Sequence, residues 1–277
     1  MHLAPRLLTV LLGPGATGPG ASREERAWLA SPTDVSGVRL AADLGAIKGC
    51  VLIFHGAGGP DRETADLQRR VEACDREAGL ERYVAVFDWT AWLGGSSRAA
   101  FDGQAVGKRI GEQLANEAGA LRSLHVIGTS VGGFAADATV SAYVGALEGR
   151  NRARVHLTLT DPFTSRGNLK EGWGMRNFGR TADYAEHYLN TDDLVPSTNE
   201  PLPLCYVYDV TRCAERRDFR PPSTGNFLKD LGARALLGHN WPMGYLARHY
   251  EVTADGDGGA TIPSHEDKPR GQVTEVF

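Results

Sequence analysis

Leu124-His125-Val126-Ile127-Gly128-Thr129-Ser130-Val131-Gly132-Gly133 decides the reading of this chain. An apolar run ends in Gly-x-Ser-x-Gly, and a segment rich in alanine and other small residues follows at once, through Leu147. That is the order of a buried strand, a sharp turn and a helix. A serine at the tip of such a turn is forced into an unfavourable backbone conformation, and the positions two before and two after must lack side chains for the turn to close. Gly128 and Gly132 meet that need. The turn aims the Ser130 hydroxyl at the helix N-terminus, where unpaired N–H groups and the helix dipole favour developing negative charge. Ser130 is therefore the expected nucleophile and the Val131 amide an expected oxyanion donor. Thr129, beside them, is an expected substrate contact.

Upstream, Cys50 to Phe54 (CVLIF) is a second apolar run, and it ends in His55-Gly56-Ala57-Gly58-Gly59. Glycines let a backbone approach a substrate oxygen, so Ala57 is the expected second donor, with Gly56 and Gly58 lining the site. His55 comes before the serine in the chain and reads as a brace for this loop. Residues 63–78 and 98–117 carry the apolar stripes of amphipathic helices, and RYVAVFDW and ARVHLTLTDPF read as further strands, the latter stopped by Pro162. GVRLAADL is a weak first strand, ADYAEHYLNT and LPLCYVYDV are later ones, and PMGYLARHYE is a closing helix with proline near its first turn. Alternation of this kind predicts an α/β fold with a mostly parallel central sheet and helices on both faces. One domain spans residues 31–254, between an N-terminal segment, 1–30, and a C-terminal tail, 255–277, in which DGDGGATIPSHEDKPRG is expected to be loose.

Serine needs a histidine to take its proton and a carboxylate to orient that histidine. Asp161 closes the first strand after the nucleophile helix and is the expected acid. Asp209, after LCYVY, and the pair Asp192 and Asp193 are its rivals. Of eight histidines, His125 and His156 fall in strands before the acid, His187 in a later strand and His249 in the last helix, while His2 and His265 lie towards the ends. His239, in GHNWP, remains as the base, and its position suggests a loop just ahead of the closing helix. Aromatic residues at 173–178 and 219–227, with Trp89 and Trp92, are candidates to line the cleft, Trp89 foremost, with a place in the core as the equal alternative for the two tryptophans. No cofactor or metal is expected, because the four cysteines, Cys50, Cys74, Cys205 and Cys213, form no zinc-spaced cluster. They read as buried free thiols, with a Cys205–Cys213 bridge as the alternative.

Composition narrows the partners. Hydrophobic residues make up 42% of 277 and charged ones 23%, enough for a sizeable core. The net charge of -4 and pI near 6.1 give no attraction for a phosphate backbone, so no nucleic-acid partner is expected. No run approaches the roughly 18 apolar residues of a membrane span, so no stable membrane insertion is expected. The start, MHLAPRLLTVLLGPGATGPGAS, is faintly signal-like but its apolar run is short, which favours the cytoplasm over secretion. Oligomeric state is not legible.

Four stretches give the chain a resemblance to the pancreatic-lipase-like branch of the α/β-hydrolases: FHGAGG, VFDWTAW, LHVIGTSVGG and LTLTDPF. The resemblance runs from about Cys50 to Tyr250. It implies an α/β-hydrolase fold, an acid on the strand after the nucleophile helix, which favours Asp161 over Asp209, and a base ahead of a tyrosine-containing segment, which GHNWPMGYLARHY matches through His239. Thr129 stands where that branch has a histidine, and no long lid or separate lipid-binding domain is evident. The activity implied is esterase- or lipase-like: a serine hydrolase acting on a small-molecule ester, lactone or thioester through an acyl-enzyme. The alternatives are an acyltransferase or cyclase acting on a biosynthetic intermediate, and a non-catalytic binding protein on the same fold.

Overall fold

The computed structural model describes residues 23–95, 97–166, 172–218, 227–255, 259–261, 263 and 268–277. In chain order the elements are α1 (Arg23–Ala30), β1 (Gly49–Phe54), α2 (Arg62–Ala78), β2 (Arg82–Phe87), α3 (Ala99–Glu117), β3 (Ser123–Thr129), α4 (Gly132–Ala146), β4 (Arg154–Thr160), α5 (Trp173–Asn177), β5 (Tyr184–Leu189), β6 (Tyr206–Asp209), α6 (Phe227–His249) and β7 (Val273–Glu275). The strands form one parallel sheet in the order β2-β1-β3-β4-β5-β6-β7. Every residue of β1 and β3 is buried, as continuous apolar strands covered on both faces must be. The order of the strands, the helices between them and the serine turn after β3 make this an α/β-hydrolase fold.

Two cores hold the helices to the sheet. Leu52, Phe54, Val126 and Leu157 meet Val106, Ile110, Phe134 and Val140 of α3 and α4 on one face. Val51, Ile53 and Ile127 meet Leu67 and Val71 of α2 and Met243 and Leu246 of α6 on the other. The helix after the serine turn, α4, lies pressed between the sheet and α3. A Cβ at Gly107 of α3 would sit 2.0 Å from the Ala135 carbonyl oxygen, so only glycine allows this approach.

Three stretches differ from the sequence expectations. GVRLAADL forms no strand: the Gln113 side-chain amide takes a neighbouring strand's place, accepting from the Leu40 N–H at 2.8 Å and donating to its carbonyl at 3.5 Å. His239 lies within α6, not in a loop before it, because the helix continues through Pro242. Beyond the segment expected to be loose, part of which lies outside the described residues, Val273–Glu275 pairs with β6 as an edge strand. The signal-like N-terminal run and all but the last of residues 219–227 also lie outside the described residues. The four cysteines are buried and unbridged, as expected. No helix among the described residues is long and apolar enough to cross a membrane.

The close approach of α3 to α4 makes a direct prediction. Gly107→Ala must push backbone against backbone, so urea denaturation is expected to show a loss of about 1–3 kcal/mol with an unchanged slope. A variant as stable as the parent would mean that the two helices do not pack this way.

Candidate functional site

Ser130 has φ of 54°, a left-handed conformation that a non-glycine residue adopts only when its surroundings impose it. They do so here by close packing. A Cβ at Gly132 would lie 2.5 Å from the carbonyl oxygens of Phe54 and His55, and one at Gly128 would lie 2.7 Å from Ala136 Cβ. The turn closes only because both are glycine. The Ser130 side chain emerges over the loop after β1, with its Cβ 3.2 Å from where a Gly56 Cβ would stand. Val131 occupies the N-cap position of α4.

The loop after β1 is braced from below. His55 is fully buried: its Nδ1 lies 2.7 Å from the Gly56 carbonyl, and its Nε2 accepts the Trp89 N–H at 3.1 Å. Burial pushes the His55 pKa down, and a neutral ring with Nδ1–H satisfies both contacts. The Trp89 indole N–H donates to the His55 carbonyl at 3.0 Å, and the ring is wholly buried, so Trp89 supports the loop and does not face the cleft expected of it. Ala57 and Gly58 are exposed on the loop, and Gly56 is half-buried beneath Ser130. Thr129 is buried, its hydroxyl donating to the Thr160 carbonyl at 3.3 Å, which leaves its side chain no open face either.

The carboxyl ends of three neighbouring strands are tied to one another. Ser130 N–H donates to the Thr160 carbonyl at 3.3 Å, and Phe163 N–H returns to the Ser130 carbonyl at 3.0 Å. Asp161 N–H reaches the Tyr188 carbonyl at 3.1 Å, and Asn190 N–H donates to Asp161 Oδ1 at 2.8 Å. The Asn190 side chain then donates to the Gly238 carbonyl of α6 at 2.8 Å. That carbonyl is free because its helical partner would be residue 242, a proline with no N–H. Pro242 thus opens the helix one residue before His239, and Asn190 fills the opening.

His239 is buried, and its Nδ1 lies 2.6 Å from Asp193 Oδ2. The imidazole's partner is therefore Asp193, in the loop after β5, and not Asp161, the acid expected from the sequence. Asp193 is fully engaged: the Thr198 hydroxyl lies 2.6 Å from Oδ2, and the Val195 N–H donates to Oδ1 at 3.0 Å. Asp161 is fully buried beside this pair, with one oxygen on the Asn190 amide and Oδ2 without a hydrogen-bond partner among the described residues. Asp161, Asp193 and His239 each bring an atom within 4.8 Å of the other two. Burial first, and the neighbouring Asp193 charge second, push the Asp161 pKa well above the ordinary carboxylate range. His239 Nε2 is buried and has no hydrogen-bond partner among the described residues. Asp209 accepts the Thr211 N–H at 2.9 Å.

Asp193 had a sequence signal, since NTDD follows β5 as TDPF follows β4. Asn190 and Thr198 had none, because their roles depend on which loops meet at the sheet edge.

No protein-family model matches the sequence, and no curated protein does. Among solved structures, a candidate hydrolase of the α/β superfamily from Xanthomonas campestris pv. campestris is similar at 16% identity and a TM-score of 0.33, over 53% of this chain and 74% of that one. RedJ, whose structure holds a polyethylene glycol molecule in its active site, is similar at 14% identity and a TM-score of 0.33, over 67% of this chain and 78% of its own.

Protein NMR can read the imidazole contact directly. A low-field Nδ1–H resonance from His239 is expected in the parent and in Asp161→Asn, and is expected to vanish in Asp193→Asn. Loss in Asp161→Asn with retention in Asp193→Asn would reverse the assignment of the acid.

Proposed function

We propose that this protein is a serine hydrolase that cleaves a carboxylic ester, lactone or thioester through an acyl-enzyme. The observation that carries the reading is the buried His239–Asp193 contact at the same end of the sheet as the strained Ser130 turn, with Nε2 of that ring buried and bonded to no described residue, Ser130 included. Ser130 Oγ attacks the acyl carbon while His239 Nε2 takes its proton. Asp193 holds the ring with Nδ1–H towards itself and balances the imidazolium that forms. The amides of Ala57 and Val131 receive the oxyanion, which collapses to expel the alcohol or thiol with the proton from Nε2. Water then attacks the acyl-enzyme by the same route, returning Ser130 and releasing the acid. No metal or cofactor takes part in this scheme.

Asp161 has a different part in it. Through Asn190 it ties the β4 and β5 exits to α6.

A series of p-nitrophenyl esters of graded chain length tests the proposal. Wild type is expected to hydrolyse at least one of them, with kcat/KM falling at least about 10⁴-fold in Ser130→Ala and about 10⁴-fold in Asp193→Asn. Hydrolysis that ignores Ser130→Ala would remove the chemistry from this turn.

A further inference from the structure

The sheet has two edges, and they are built differently. β7, at one end, is three residues long, and the Lys268 ammonium donates to its Thr274 hydroxyl at 3.0 Å. Short length and a lysine are ordinary means of stopping an edge from pairing with another chain. β2, at the other end, has six residues, RYVAVF, in unbroken register with β1, and so carries neither a proline nor a bulge. No charged residue stands between Arg82 and Asp88. Among the described residues, no hydrogen bond outside the β1 ladder reaches the backbone of residues 83–87. All six side chains are half-buried, so the edge is apolar and open. A row of unpaired N–H and C=O groups of this kind is a template for another strand.

The strand is also its own complement. Read outward from Ala85, RYVAVFD has valine, then an aromatic residue, then a charge on each side, basic before and acidic after. Residues directly opposite one another in an antiparallel pair share a face of the sheet. When Ala85 of two copies meets on a two-fold axis, Tyr83 of each copy lies opposite Phe87 of the other, on the face that packs against α3 and α4. Val84 lies opposite Val86 on the face that packs against α2 and α6. At each end Arg82 comes opposite Asp88, whose side chain is 62% exposed, so charges of opposite sign face each other. The Arg82 head itself stays turned in to Asp75. Moving the axis to Val84 sets Tyr83 against Ala85 and Arg82 against Val86, and loses both the aromatic and the charge match.

We infer that β2 is the interface of a homodimer, in which β2 of a second copy of this chain pairs with it antiparallel about a two-fold axis at Ala85. The pairing joins two seven-stranded sheets into one and leaves β7 as the only kind of edge at either end. Main-chain bonds supply the attraction, and the aromatic and valine pairs set the register. The occupant is a second copy because the complement that β2 calls for, residue by residue, is β2 itself, and a two-fold contact requires a patch that matches itself in this way. Asp88 and Trp89, which follow the strand directly, both contact the His55 imidazole. The interface therefore ends where the brace of the loop after β1 begins.

The test is analytical ultracentrifugation of the full-length protein from about 1 to about 100 µM, with dimer expected to dominate at the upper end. Val84→Lys combined with Val86→Lys sets lysine against lysine twice and is expected to weaken the dimer at least about tenfold. Val84→Lys combined with Val86→Glu sets each new lysine against a new glutamate and is expected to restore it. Circular dichroism checks that both variants are folded. Spin labels on Glu81→Cys, an exposed position outside the strand, read the register without disturbing it. The labelled backbones are expected about 27 Å apart, because position 81 lies four residues from the axis in each copy. A parent that stays monomeric throughout would overturn the inference. So would a folded double-lysine variant that dimerises as well as the parent, a folded lysine–glutamate variant that does not dimerise, or labels more than about 10 Å from the expected separation.

Discussion

A 2.6 Å contact between a buried imidazole and a buried carboxylate is the constraint around which the sheet edge is organised. His239 comes from a helix and Asp193 from the loop after β5, so neither is positioned by local sequence. Both are held by the hydrogen bonds that link the β3, β4 and β5 exits, ending where Asn190 fills the gap Pro242 opens in α6. A proline inside a helix usually weakens it by removing a bond and crowding the preceding turn. Here the freed Gly238 carbonyl becomes the anchor that sets the helix against the strand edge, one residue from the imidazole.

Two neighbouring buried carboxyls meet different surroundings. Two buried carboxylates side by side repel, and each also loses its hydration, which raises the pKa of Asp161. Asp161 has one amide donor and an unpartnered oxygen, while Asp193 has a hydroxyl, a backbone amide and an imidazole around it. Asp193 is the carboxyl with the fuller set of donors, and it is the one that meets the imidazole. In the proposed reaction Asp193 is the counter-charge facing the imidazolium, while Asp161 links the strands.

Much of this was legible in the sequence, and the misses share a physical cause. The serine turn declares itself because its requirements are local: an apolar strand, two glycines at fixed offsets and a small-residue helix. The glycine loop after β1 and the bracing His55 are local too, since Trp89, His55 and Gly56 make their contacts around one short turn. Which aspartate faces His239 is a question of how three loops meet in space, and Asp161, Asp193 and Asp209 each close a strand. The family resemblance favoured the β4 position, whereas the imidazole meets the β5 one. GHNWP read as a loop because proline suits the first turn of a helix, whereas here the helix runs through Pro242 and Asn190 satisfies the carbonyl it frees. Trp89 looked like a cleft residue for want of any sequence signal that its indole lies beneath His55.

The central claim is that Ser130 is a nucleophile made reactive by this arrangement. It is tested most directly by treating the protein with a fluorophosphonate and mapping the adduct by peptide mass spectrometry. The account predicts a single stoichiometric adduct on the peptide containing Ser130. An intact protein that stays unlabelled, or carries the adduct on another residue, would contradict it.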